Sequence, residues 1–178
     1  MVAVIILIAG IIYFEIEPKN TDINYAPADS QKTTDTTIRF NSEGKLKVLH
    51  IADTHLNYDK HFDASIWVIA EACDVEKPDL VVLTGDNTHP NEDPEKTKKL
   101  INALINIFES RNIPVAVTFG NHDAEKGSMT RKDIMEYYNT FSCSVSRDYR
   151  NLPDCATFNV PVLSSDGSKI KFNLWVID

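Results

Sequence analysis

Three short polar stretches hold the side chains with the most chemical capacity: Asp53-Thr54-His55, Gly85-Asp86-Asn87 and Gly120-Asn121-His122-Asp123. Asp53 and His55, two residues apart, can offer one ion a carboxylate oxygen and an imidazole nitrogen. Asp86 has two oxygens and can bridge two ions, and Asn121 can add an amide oxygen to the second. Oxygen and nitrogen donors without thiolate suit Mn²⁺, Fe²⁺/³⁺ or Zn²⁺ in a reactive site better than a structural zinc. Two such ions about 3.5 to 4 Å apart would clamp the attacking and leaving oxygens of an in-line phosphoryl displacement and supply a metal-bound hydroxide. His122 is then expected to protonate the leaving oxygen, and Asp123 to hold its ring. Each fragment alone is ordinary loop chemistry, so a site requires the chain to bring the three together.

The flanking pattern says that it does. "KLKVLHIA", "DLVVLTG" and "IPVAVTFG" are apolar, β-branched runs that predict strands. Between them lie two helical segments. "DASIWVIAEACDVEK" is expected to be capped by Asp63 and to end before Pro78. "DPEKTKKLINALINIFESRN" has Asp93 at its cap, Pro94 in its first turn, and the stripe Leu100, Ile101, Leu104, Ile105, Phe108. A third helix is expected around Thr130 to Asn139, followed by strands in "ATFNVPVL" and "KIKFNLWVID" joined by the turn "SSDGS". A βαβαβ order predicts a mainly parallel sheet, and ligands of such sheets bind outside the carboxyl ends of the strands. All three polar stretches begin where a predicted strand ends.

The segment before this domain reads differently. Residues 1–14, "MVAVIILIAGIIYF", contain no charge and are expected to form a signal-anchor or a cleaved signal peptide, with a buried core strand as the structural alternative. Either targeting role implies a single-pass membrane or secreted location. Residues 15–37 are rich in Thr, Asp, Asn and Pro and are expected to be a polar stalk, which places the folded domain at 38–178. Cys143 and Cys155 flank a polar loop and could pair in an oxidising compartment, while Cys73 is expected to be a small buried hydrophobe. With 18 Lys and Arg against 26 Asp and Glu the net charge is −8, and no basic cluster appears, which argues against nucleic acid as a partner.

On the series D-x-H, G-D, G-N-H-D, the chain resembles the calcineurin-like metallophosphoesterase superfamily. "KPDLVVLTGDN" and "IPVAVTFGNHD" are most similar to its purple-acid-phosphatase-like branch of plants and fungi. The resemblance implies a four-layer α/β/β/α sandwich and a dinuclear site. Asp53 and His55 would bind the first metal, Asp86 would bridge, Asn121 would bind the second, and His122 would lie near the leaving group. It also implies a phosphorylated substrate, either a phosphoprotein or a small phosphomonoester. Two departures stand out. Purple acid phosphatases have Gly at the position of His55 and a tyrosinate at that of His89, so no purple charge-transfer colour is expected. The family's later lone His and G-H-x-H ligands have no counterpart among His50, His61 and His89, and the second half of the sandwich is expected to be missing from this N-terminal partial domain. A metal-dependent phosphatase is therefore the first reading. The alternative is a catalytically inactive, membrane-anchored interaction module.

Overall fold

The structure is a computed structural model that describes residues 6–8, 11–16, 37–89, 91–125, 127–147 and 155–178. Most of the expected stalk lies outside these residues. The principal sheet has five strands: β1 (Ile6–Ile8), β2 (Ile11–Ile16), β3 (Leu46–Ile51), β4 (Leu80–Thr84) and β5 (Val115–Thr118). They lie side by side in sequence order. The three site-bearing strands are parallel, with Ile51 opposite Leu83 and Thr84 opposite Thr118. The β1–β2 hairpin adds an antiparallel edge, Ile11 lying opposite Ile51 and Ile16 opposite Leu46. The apolar segment expected as a targeting sequence thus runs partly as strand, and among the described residues no helix is long and apolar enough to cross a membrane.

Helix α1 (Phe62–Glu76) connects β3 to β4, and α2 (Pro94–Glu109) connects β4 to β5. Asp63 does not cap α1 as expected. His61 occupies the N-cap without a side-chain bond, and Asp63 falls in the first turn, where a carboxylate favours the helix dipole. Lys77 ends the helix in the left-handed region, ahead of Pro78. Asp93 caps α2 by accepting the Glu95 N–H, and its predicted apolar stripe is fully buried. A short helix α3 (Arg131–Tyr138) opens with a capping box between Thr130 and Asp133.

Strand alternation divides the interior in two. Leu49, Ile51, Val81, Leu83, Val115 and Val117 pack against the helices. Val48, Leu80, Val82 and Ala116 point the other way, onto a second sheet made of β6 (Phe158–Leu163) and β7 (Ile170–Val176). The face expected to lack its partner layer is therefore covered, with Phe158, Val160, Val162 and Val176 sealing it. Three of the four layers implied by the resemblance, helices and two sheets, are present among the described residues. No disulfide joins Cys143 and Cys155, the pairing the sequence allowed. Cys73 is buried, and burial pushes its thiol up to about 11.

Candidate metal centre

The backbone fastens the three strand-end loops together before any side chain acts. Asp53 N–H donates to Gly85 O at 3.1 Å, His55 N–H to Asp86 O at 2.8 Å, and Leu56 N–H to Asn87 O at 3.2 Å. Thr54 adds its hydroxyl to Asn87 O at 2.5 Å. The third loop closes on the second through glycine. Gly85 has φ 108°, and a Cβ there would fall on the backbone of Gly120. A Cβ on Gly120 would in turn meet the Asp86 carboxylate, 2.7 Å from its Cγ. Only hydrogen at both α-carbons permits this approach.

Within that frame Asp53, His55 and Asp86 each offer a ligand atom, all within 4.8 Å of one another. His55 Nε2 lies 3.9 Å from Asp53 Oδ1 and 3.7 Å from Asp86 Oδ2. Asp53 (φ 56°), His55 (φ 42°) and Asp86 (φ 49°) all adopt the left-handed backbone conformation. Such geometry costs a non-glycine residue about 1 to 3 kcal/mol and persists where the surroundings impose it, typically at functional sites. Asp86 is 7% exposed, whereas Asp53 and His55 are open to solvent, so the cluster has a buried floor and an accessible rim. Two carboxylates and one imidazole, with no thiolate, fit a hard or borderline divalent ion.

The third loop supplies the remaining expected residues. His122 donates its backbone N–H to Asp86 Oδ1 at 2.8 Å, and its ring centroid lies 5.6 Å from that of His55. Asn121, exposed, precedes it in the same loop. Asp123 does not hold the His122 ring as expected. Its carboxylate turns inward, 2% exposed, and accepts N–H groups from Asp86 at 2.7 Å, Asn87 at 2.8 Å, Gly120 at 2.8 Å and Thr88 at 3.4 Å. Burial raises its pKa, and the four N–H bonds pull the other way. Asp123 therefore anchors the second loop to the third and does not hold the His122 ring. The carboxylate on that ring is Glu125, with Oε2 2.5 Å from His122 Nδ1.

Arg131 and Asp178 also contribute, without any signal in the sequence. Arg131 of α3 donates to Gly120 O at 2.7 Å and to Asp178 Oδ1 at 2.5 Å, tying the third loop to the end of β7. Nothing in the local sequence announces this pairing across 47 residues. His50 and His61 stand apart from the cluster: His50 pairs with the Thr84 hydroxyl at 2.6 Å, its pKa lowered by burial, and His61 begins α1. His89 is exposed. Next to the first loop, a groove of about 290 Å³ is lined by Ile51, Thr54, His61, Ser65, Val68 and Ile69.

The comparisons agree with this geometry. The chain is 30% identical over 169 residues to "Probable inactive purple acid phosphatase 14" of Arabidopsis thaliana, covering 79% of this chain and 41% of that protein. "Probable inactive purple acid phosphatase 28" of the same plant is 26% identical, covering 79% of this chain and 39% of the relative. "Phosphatase DCR2" of Saccharomyces cerevisiae is 27% identical, covering 72% of this chain and 25% of the yeast protein. The chain thus spans about two fifths or less of the length of these relatives. The model of the calcineurin-like phosphoesterase family matches residues 46–176, which hold every loop of the cluster. The chain belongs to the calcineurin-like phosphoesterase family.

Proposed function

We propose that the chain carries active-centre residues of a metal-dependent phosphoric monoester hydrolase. The observation that supports this most is the convergence of Asp53, His55 and Asp86 within 4.8 Å at the carboxyl ends of two adjacent parallel strands, β3 and β4. In this reading Asp53 and His55 hold a first ion, Asp86 is shared, and Asn121 reaches a second. Mn²⁺, Fe²⁺/³⁺ or Zn²⁺ would fit these donors. The bound ions supply charge neutralisation of the phosphoryl group and acidify water. Asp86 fixes the backbone of His122, so the imidazole stands at the rim of the cluster, where it can hold a proton for the leaving oxygen. The substrate is a phosphomonoester, either a phosphoprotein or a small molecule.

A second reading is a metal-binding module without turnover. It is favoured by the words "probable inactive" in the names of two of the plant relatives. One assay separates the two. The purified chain is loaded with Mn²⁺ and given a generic aryl phosphate. The hydrolase reading predicts turnover that Asp86→Ala abolishes. Full metal loading with no hydrolysis overturns it in favour of the second reading.

A further inference from the structure

We infer that Glu125 is the positioning residue of His122, and that it fixes the ring as the Nδ1–H tautomer with Nε2 left for the phosphoryl site. The inference rests on the hydrolase reading for its consequence, though not for its geometry. After Asn121 the chain turns so tightly that the Glu125 N–H returns to His122 O at 3.3 Å. That turn carries the Glu125 carboxylate over the imidazole, and Oε2 meets Nδ1 at 2.5 Å. Asp123 lies between them in sequence and is unavailable, because four backbone N–H groups hold it in the interior. The loop thus assigns its two acids opposite tasks: Asp123 faces in and secures the backbone, and Glu125 faces out and grips the ring.

Stability does not explain the outward contact. His122 and Glu125 have side chains 44% and 45% exposed, and an ion pair so open to water adds little to folding. Its effect is on orientation. A carboxylate at Nδ1 requires the proton there in the neutral ring, which leaves Nε2 as the unshared nitrogen. With the backbone of His122 already fixed on Asp86 Oδ1, a grip at Nδ1 removes the freedom of the ring that remains.

The test uses the ¹⁵N-labelled chain itself, without metal or substrate. Long-range ¹H–¹⁵N correlation is recorded roughly two units above the ordinary histidine pKa of about 6.5, with His122→Ala to assign the signal. Wild type is expected to show His122 as Nδ1–H, and Glu125→Ala to shift it to the Nε2–H form. A wild-type ring already in the Nε2–H form, or a Glu125→Ala ring unchanged from wild type, overturns the inference. In the Mn²⁺-loaded chain, Glu125→Ala should lower kcat about tenfold to a hundredfold with KM unchanged, and Glu125→Asp should restore most of the loss. Equal kcat in wild type and Glu125→Ala would count against the positioning role. Absence of turnover in the wild type would count against the hydrolase reading alone, since the tautomer is read without it.

Discussion

Asp123 Oδ2 accepts the backbone N–H of Asp86 at 2.7 Å, so the residue next to the expected acid is bound to the residue expected to bridge the metals. The same carboxylate holds Asn87 and Gly120. Removing it would leave these three N–H donors and that of Thr88, all buried or half-buried, without this acceptor, at about 1 to 3 kcal/mol each. Asp123→Ala should therefore lower the unfolding free energy by about 3 kcal/mol or more, measured by urea denaturation, and should weaken metal uptake because Asp86 loses its support. A variant as stable as wild type would show that other contacts position the second loop.

Gly120 is predicted to tolerate no side chain. A Cβ at this position would sit 2.7 Å from both Asp86 N and Asp86 Cγ, displacing the buried ligand itself. Overpacking of this kind costs about 1 to 3 kcal/mol, and here the strain falls on the metal site. Gly120→Ala should reduce Mn²⁺ affinity at least tenfold by calorimetric titration, with a smaller loss of thermal stability than Asp123→Ala.

The features that could be read from the sequence are the ones with a local cause. Strand ends and helices followed from apolar period and capping residues, and the rule that parallel sheets bind ligands at their carboxyl edge brought Asp53, His55, Asp86 and His122 to one place. What could not be read depended on side-chain direction within a loop. Asp123 and Glu125 are both acids near His122, and nothing in "NHDAE" says which one turns inward; burial against Asp86 and Gly120 decides it. The Arg131–Asp178 link joins distant segments and has no sequence period. The second sheet was legible as strands, but its packing on the inner face was not, because Val48, Leu80 and Val82 lie on strands buried on both faces and show no alternation.

His122 is predicted to serve chemistry rather than metal retention. Its ring is half exposed, and its link to the cluster runs through the backbone N–H, which any residue keeps. His122→Ala should lower turnover of an aryl phosphate by about 10²- to 10⁴-fold, the range for loss of a general acid, while leaving Mn²⁺ uptake within about twofold of wild type. Equal losses of both would make His122 a ligand instead.

Acid should loosen the far end of α2 through Glu109. Burial opposes ionisation of its carboxyl, but hydrogen bonds from Cys143 and Ser142 outweigh that and hold the group down at about 2. Because its folded pKa lies below the ordinary glutamate value of about 4.5, its contribution is present above about pH 4.5 and is lost as pH falls toward 2. Wild type should lose stability relative to Glu109→Gln across that window, followed by thermal melts at matched pH. Parallel pH profiles for the two proteins would contradict the assignment.

The central claim is that Asp53, His55 and Asp86 form a metal site, and metal uptake tests it without reference to any substrate. Mn²⁺ is titrated into wild type and Asp86→Ala at matched protein concentration, and the bound ion is read by electron paramagnetic resonance. Saturable binding is expected for wild type and none for Asp86→Ala in a protein that keeps its far-ultraviolet circular dichroism. Identical Mn²⁺ uptake by both proteins would contradict it.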